Sequence, residues 1–137
     1  MLHSAEEQAN LATVERYFQL INAGAMDDSF AECVAPDVVQ EEYPNRLLPN
    51  GARRDLAGLR EASNRGRALM ARQHFDGQRI YASGPTVIVE SVWSGTVGVD
   101  AGPFKTGTEL RAHFAQFFEL RGARIPAIRN YDCFLPW

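Results

Sequence analysis

Apolar residues recur at spacings of three and four along the first part of the chain, which is the spacing of one face of a helix. They are Leu11, Val14, Phe18 and Ile21, with Tyr17 at the edge of the stripe. This pattern predicts a helix over residues 4–23. Gly24 follows the last apolar position, where glycine commonly ends a helix in the left-handed conformation.

Two shorter helices are expected on either side of a strand. The first begins at Asp27 or Asp28 and ends at Pro36, because proline cannot continue a helix. The strand spans 38–43, and its pattern leaves open which face is buried. The other helix is predicted over 55–72. The side chains expected to face inward from these helices are Phe30, Cys33 and Val34, and Leu56, Leu59, Ala62, Leu69 and Met70.

The second half of the chain is rich in β-branched and aromatic residues, which favour strands. Four strands are predicted, over 74–82, 86–96, 108–120 and 124–134. Residues 44–54, rich in Pro, Asn and Gly, are expected to be irregular. Because the helices precede the strands, we expect an α+β fold in a single domain, residues 1–137. A cone-shaped, curved antiparallel sheet would carry about three helices on its concave face, with a small-molecule pocket between the layers.

The composition is that of an ordinary globular protein and narrows the range of partners. Hydrophobic residues make up 45% of the chain, and the formal net charge is −3 at pH 7. The concentrated basic excess typical of nucleic-acid-binding proteins is therefore absent. No apolar run approaches the roughly 20 residues of a membrane span, and residues 1–11 lack the pattern of a signal peptide. A cytoplasmic protein without nucleic-acid or membrane partners is expected.

The cysteines and histidines show no metal-ligand pattern. Cys33 and Cys133 lie far apart in the chain without the spacing of a zinc site, and they are expected to be buried free thiols. No dinucleotide-binding or phosphate-binding fingerprint occurs. The expectation is therefore a protein that uses no metal ion and no cofactor.

Polar residues of the last two predicted strands are expected to meet across the sheet. A tight turn near 121–124 would join the strands. The pairing then places His113 opposite Asn130. It also places Arg111 opposite Asp132. All four side chains would share the face that lines the pocket, although an Arg111–Asp132 contact is equally compatible with a structural ion pair.

Several segments together carry a resemblance to a known superfamily. They are VERYFQLINAGAMDD, DVVQEEYP, VESVWSGT, HFAQFFELRGARI and RNYDCF. The chain resembles the nuclear transport factor 2-like superfamily, and within it the SnoaL-like branch. The resemblance implies a cystatin-like α+β barrel with a pocket between the first helix and the inner face of the sheet. It also implies a homodimer formed through the outer face of the sheet.

The resemblance further implies roles for individual residues. Tyr17 matches the oxyanion-hole tyrosine of ketosteroid isomerases, and Glu42 matches their general base. The second oxyanion-hole acid of those enzymes falls near Arg111, whose permanent charge cannot take the role of a protonated acid. By similarity to the polyketide cyclases of the branch, Asp132 is the expected general acid and base, with His113 as its helper. The residues expected to bind substrate are Asn130, Arg111, Glu42, Trp93, Val89 and Phe18.

The expected function is acid-base chemistry, without a cofactor, on a small, mainly apolar molecule such as a polyketide or a steroid. The protein would be an isomerase or cyclase, or a hydratase or dehydratase. The superfamily also includes limonene-type epoxide hydrolases, whose Asp–Arg–Asp arrangement Arg111 and Asp132 would supply in part. The alternative is a non-catalytic ligand-binding or dimerisation module of the same fold. The apolar residues expected on the outer, dimer-forming face are Ile88, Val92, Phe114, Phe118 and Tyr131.

Overall fold

Three helices and six strands form the protein in the computed structural model, which describes residues 2–25 and 28–137. The helices are α1 (Ala5–Ala23), α2 (Asp28–Cys33) and α3 (Leu56–Leu69). The strands are β1 (Val34–Glu42), β2 (Ala52–Arg54), β3 (Met70–Ser83), β4 (Thr86–Val97), β5 (Glu109–Arg121) and β6 (Arg124–Phe134). The α+β class predicted from the order of helices and strands is confirmed.

All six strands belong to one sheet in the order β2-β1-β6-β5-β4-β3. Neighbouring strands run antiparallel except β1 and β6, which are parallel, so the sheet is mixed rather than wholly antiparallel. Helix α1 packs on β3 and β4, and α3 packs on β1 and β3. The helices thus lie on one face of the sheet and enclose the core between the two layers.

The first helix forms as its apolar stripe predicts, because both of its ends carry strong local signals. Ser4 accepts a hydrogen bond from the backbone N–H of Glu7 while the Glu7 side chain accepts one from the backbone of Ser4, which is a capping box. Gly24 ends the helix with a φ of 70°, a conformation that favours glycine. Val14 and Phe18 are buried against the sheet. The rings of Phe18 and Phe118 on β5 lie 5.8 Å apart and join the two layers.

Several boundaries differ from the predicted ones. Strand β1 begins at Val34, directly after α2, so Pro36 lies within a strand. Helix α3 ends at Leu69 rather than Arg72, and Leu69 is 42% exposed instead of facing inward. The predicted cap of α2, Asp27 or Asp28, lies outside the residues whose side chains the structure describes. In the described part of the chain, no helix is long and apolar enough to cross a membrane.

The predicted register of β5 and β6 is wrong. Gln116, not His113, lies opposite Asn130, and His113 lies opposite Cys133. The strands are joined by a two-residue turn that pairs Arg121 with Arg124, and a register irregularity follows between Glu119 and Arg121. The observed register differs from the predicted one by three positions. Because successive side chains point to opposite faces, an odd error reverses every residue of one strand relative to the other.

This register moves the predicted β5 site residues away from the pocket. Arg111 and His113 are exposed on the outer face of the sheet, whereas Asp132 and Asn130 lie on the inner face. The sequence prediction that all four share one face is therefore wrong.

The predicted dimer-forming face changes for the same reason. Phe118 is fully buried in the core, and Phe114 packs against Trp93 on the inner face. Ile88, Val92 and Tyr131 remain on the outer face. Of the two cysteines, Cys33 is buried as expected and Cys133 is exposed.

Candidate functional site

A cavity of about 630 Å³ lies between the helices and the inner face of the sheet. Its wall includes apolar side chains of α1 and α3 together with a polar floor contributed by the sheet. The polar side chains that the sheet contributes to this floor include Gln40, Glu42, Arg54, Gln116 and Asn130, and Tyr17 of α1 adds a hydroxyl to the wall. A concave cavity of this size is typical of small-molecule sites, and many of the residues that line this one are polar or charged, Arg67, Arg72 and Gln73 among them.

A row of three polar side chains crosses the floor of the cavity. Gln116 on β5 lies opposite Asn130 on β6, and Asn130 lies opposite Glu42 on β1. The Gln116 Nε2 donates to the Asn130 Oδ1 at 3.2 Å. The Gln116 Oε1 is buried and has no hydrogen-bond partner among the described residues, although an unpaired buried acceptor is costly. The row therefore contains a buried acceptor whose hydrogen-bonding capacity the described residues leave unused.

Two carboxyl groups stand side by side at the end of this row. Burial, followed by the negative charge of Glu42 and a hydrogen bond to it, raises the pKa of Asp132 from 3.8 to about 7, and Arg54 opposes the shift. Near neutral pH, Asp132 is thus poised to hold or release one proton beside the Glu42 carboxylate. Glu42 lines the cavity, whereas the Asp132 Oδ1 is buried without a hydrogen-bond partner among the described residues.

Arg54 holds the Glu42 carboxylate in place. Its Nη1 lies 3.0 Å from the Glu42 Oε1, and the two side chains are only 15% and 13% exposed. The same nitrogen donates to the Gln40 Oε1 at 3.2 Å. Strand β2 makes the contact possible because its antiparallel pairing places Arg54 opposite Gln40.

Sequence reasoning missed Arg54 because residues 44–54 were expected to be irregular. Strand β2 has only three residues, too few to show an alternating pattern. A signal was nevertheless present: the paired acids Glu41 and Glu42 are separated by a Pro/Asn/Gly segment from the paired bases Arg53 and Arg54. Opposite charges on two strands around a turn favour cross-strand ion pairs, and both pairs form.

Tyr17 enters the cavity wall from α1, as the resemblance implies. Its side chain is 4% exposed, and its ring packs edge-on against Phe118 with 5.2 Å between the centroids. Burial first, and the nearby Cys33 second, raise the pKa of the Tyr17 hydroxyl above its ordinary value. The hydroxyl therefore stays protonated near neutral pH and can donate a hydrogen bond.

The other predicted site residues divide between the core and the outer face. Val89 and Phe18 are buried in the core and are not among the residues that line the cavity. Trp93 belongs to a second apolar cluster with Phe114 and Phe134, and its Nε1 donates to the Gln73 Oε1 at 3.3 Å. The structure thus brings together Tyr17, Glu42, Asn130 and Asp132, and adds Arg54, Gln40 and Gln116.

Replacing Asp132 by Asn should stabilise the protein at alkaline pH. The folded chain keeps the Asp132 proton up to about pH 7, whereas an unfolded chain releases it near 3.8. The folded state therefore binds more protons between these values, and the free energy of unfolding falls as the pH rises through that window. We expect Asp132→Asn to exceed the wild type by about 2–4 kcal/mol at pH 8 and to lose most of this advantage at pH 4. Urea unfolding across this range measures both.

Asp37 offers a matched control with the opposite sign. Its hydrogen bond to Arg121, the largest effect, lowers the pKa of Asp37. Because Asp37 is exposed, the effect is small: at pH values above 4, Asp37→Asn should lower the free energy of unfolding a little rather than raise it. A stability difference between Asp132→Asn and wild type that does not grow with pH would contradict the assignment of a neutral Asp132.

Comparisons with known proteins place the fold. The sequence profile of the SnoaL-like domain matches residues 14–128. A proposed polyketide cyclase from Xanthomonas campestris pv. campestris has a TM-score of 0.79 and 23% identity, over 93% of this chain and 92% of that chain. IdmH, a proposed polyketide cyclase from Streptomyces antibioticus, has a TM-score of 0.77 and 20% identity, over 90% and 91%.

A third solved structure extends the same comparison. A nuclear transport factor 2-like protein from Burkholderia xenovorans has a TM-score of 0.71 and 18% identity, over 94% of this chain and 92% of that chain. No curated protein sequence matches the chain. At these identities the solved structures share their fold with this chain.

Proposed function

Because this chain belongs to the SnoaL-like domain family, we propose that it is a cofactor-independent enzyme that transfers protons in a small, mainly apolar compound. The observation that carries the proposal is the carboxyl pair of Glu42 and Asp132 beside the cavity, with Arg54 bound to Glu42. A carboxyl group that titrates near neutral pH is suited to acid-base catalysis. The fold shared with proposed polyketide cyclases supports a polyketide-like substrate.

In the proposed reaction, Glu42 acts as the base. Its carboxylate removes a proton from a carbon next to a carbonyl group, so the C–H bond breaks and its electron pair moves toward the carbonyl oxygen. Glu42 then returns the proton to a second carbon, or to the oxygen formed when the enolate carbon attacks another carbonyl of the same molecule. The first outcome shifts a double bond and the second closes a ring, and neither consumes a cofactor.

The neighbouring groups stabilise the charge that develops. The buried Tyr17 hydroxyl and the amide of Asn130 can donate hydrogen bonds to the enolate oxygen. Gln116 donates to the Asn130 Oδ1 and so orients the Asn130 amide toward its role as a donor. Below about pH 7, Asp132 keeps its proton beside the Glu42 carboxylate, so the pair carries a single negative charge before the reaction.

Addition of water to an epoxide is a second candidate reaction. Arg54 bonds to Glu42, and its charge also acts on the carboxyl group of Asp132, so one Arg serves two carboxyl groups. In such an arrangement, the protonated carboxyl group can protonate the epoxide oxygen while the carboxylate activates a water molecule. In this second candidate reaction, Arg54 takes the role that the sequence prediction gave to Arg111. Glu42 is the second acid, which the sequence prediction lacked.

The test begins with ligands and continues with isotopes. A thermal-shift screen of aromatic polyketides, steroids and terpenoid epoxides should find a compound that raises the melting temperature, since a ligand bound only to the folded state stabilises it. The compound is then incubated with the protein in D2O and in H2(18)O. Deuterium at carbon supports proton transfer, whereas oxygen-18 in a diol supports epoxide hydration.

His113→Gln is the matched control for this test. His113 is exposed on the outer face of the sheet, away from the cavity, so the variant should bind and turn over the compound as the wild type does. Binding without incorporation of either isotope would overturn the enzyme proposal and favour a non-catalytic ligand-binding module. A homodimer through the outer face stays a prediction that fits the same fold.

A further inference from the structure

The Glu42 carboxylate is held from two sides, and only one of the holding groups is charged. Arg54 binds the Oε1 at 3.0 Å. On the other oxygen, the Asn45 Nδ2 donates to the Glu42 Oε2 at 2.9 Å. Asn45 lies in the loop between β1 and β2, three positions after Glu42. The Asn45 side chain thus touches the proposed base without itself lining the cavity.

The orientation of the Asn45 amide follows from its other hydrogen bonds. Its Oδ1 accepts from the backbone N–H groups of Leu47 and Leu48, at 3.0 and 2.9 Å. Because those partners are donors, the oxygen must face them, and the NH2 group must face Glu42 and the Tyr43 carbonyl. A flipped amide would set donor against donor. Asn45 therefore presents a donor to Glu42 in one fixed orientation.

The loop that carries Asn45 is itself anchored at both ends. Gly51 has a φ of +68°, and a Cβ at this position would lie 2.5 Å from the Glu42 carbonyl oxygen, so glycine is required here. Arg46 donates to the Trp137 carbonyl at 3.1 Å, and its guanidinium lies 4.3 Å from the centre of the Trp137 ring. These contacts limit movement of the loop relative to the carboxyl pair.

We propose that Asn45 is a positioning residue for the carboxyl pair: its amide donor keeps Glu42 as the ionised member and so leaves the shared proton on Asp132. The proposal rests on the proposed function only in taking this pair as the reactive group. Arg54 on β2 forms an ion pair with Glu42, and Asp132 on β6 is the titratable group that interacts with it. A hydrogen bond donated to a carboxylate favours its charged form, whereas Asp132 Oδ1 has no such donor.

Two substitutions of Asn45 separate this role from a merely structural one. Asn45→Asp keeps the side-chain oxygen that accepts from Leu47 and Leu48, so it preserves the turn, but it replaces the donor to Glu42 by a second acceptor. Asn45→Ala removes both the turn and the donor. If Asn45 only stabilises the turn, only Asn45→Ala should change the titration of the carboxyl pair. If Asn45 is a positioning residue, Asn45→Asp should change that titration at least as strongly as Asn45→Ala does.

Carbon-13 NMR of the ligand-free protein, with labelled carboxyl carbons, reads the proton directly. In the wild type, the Asp132 carbon should titrate near neutral pH while the Glu42 carbon keeps the shift of a carboxylate. In Asn45→Asp, the chemical shift of the Glu42 carboxyl carbon should also change with pH and account for a large part of the total change. The pair should release its proton about one pH unit higher than in the wild type. Asn45→Ala should show the same redistribution with a smaller shift in pH.

Asn50→Asp is the control for a general effect of charge. Asn50 is exposed in the same loop, so the variant adds an equal charge without touching Glu42 and should leave the proton on Asp132. The proposal is overturned if either Asn45→Ala or Asn45→Asp titrates as the wild type does, or if Asn50→Asp produces the same redistribution. The readout needs no substrate, so its failure is distinguishable from a failure to find turnover.

Discussion

Replacing Glu42 by Gln is expected to lower kcat/KM by about 10²–10⁴-fold on the substrate that the screen identifies, whereas Asp132→Asn, which keeps a neutral group beside the base, should lower it much less. Glu42→Gln removes the only proposed base while keeping the size of the side chain. Asp132→Asn fixes a neutral group beside Glu42 and removes the exchangeable proton of the pair. Steady-state kinetics with purified, folded variants measure both effects.

The two substitutions should not be additive. Glu42→Gln already removes the proposed base, so the further loss of Asp132 has little catalysis left to affect, and the double variant should be little worse than Glu42→Gln. The wild-type activity should also decline as Asp132 loses its proton, above about pH 7, and this decline should be absent in Asp132→Asn. His113→Gln is the control and should keep wild-type kinetics. Unchanged turnover in Glu42→Gln would remove Glu42 from the mechanism.

Replacing Phe118 by Ala is expected to reduce the free energy of unfolding by about 3–5 kcal/mol. Phe118 is fully buried on the inner face of β5, and its ring contacts those of Tyr17 and Phe18 on α1. The substitution removes the ring that joins helix to sheet and leaves a cavity that the surrounding backbone cannot close. Urea unfolding followed by circular dichroism measures the loss, and Phe118→Leu, expected to cost less, covers the case in which the alanine variant does not fold.

The adjacent Phe117 provides a matched control, because it undergoes the same chemical change on the opposite face. Its ring lies 5.7 Å from that of Tyr131 and 5.4 Å from the Arg129 guanidinium, on the outer side of the sheet. Phe117→Ala should cost about 1 kcal/mol. The pair of variants also tests the register, since a shift by one residue would exchange their effects. Equal losses from the two variants would contradict the observed faces of β5.

The first helix is a feature that neighbouring residues in the sequence are sufficient to predict. Its stripe, its capping residues and Gly24 all lie within one segment, so no distant contact is needed to predict where it begins and ends. Strand β6 was predicted with its observed bounds, 124–134, and its alternation correctly places Asn130 and Asp132 on one face. Each of these features depends only on neighbours in the chain.

The partners of those residues depend on register, which alternation leaves open. The predicted and observed pairings of β5 and β6 differ by three positions. The predicted neighbour of Asn130 was His113, which is exposed, and the observed neighbour is Gln116. The difference arises in a two-residue turn and a local irregularity beside it. Such features change the pairing of every later residue while changing the hydrophobic pattern very little.

The inward face of β1 was decided by the tertiary structure. Glu42 was a candidate only through resemblance, because its strand pattern is compatible with either face being buried. Parallel pairing with β6 sets Glu42 opposite Asn130, and the short β2 brings Arg54 to its carboxylate. The sequence by itself thus determined the helices, the main strands and the α+β class, since these follow from local periodicity and caps. The tertiary structure decided which polar groups meet, because a carboxyl pair with a shared proton exists only where distant strands bring its members into contact and bury them together.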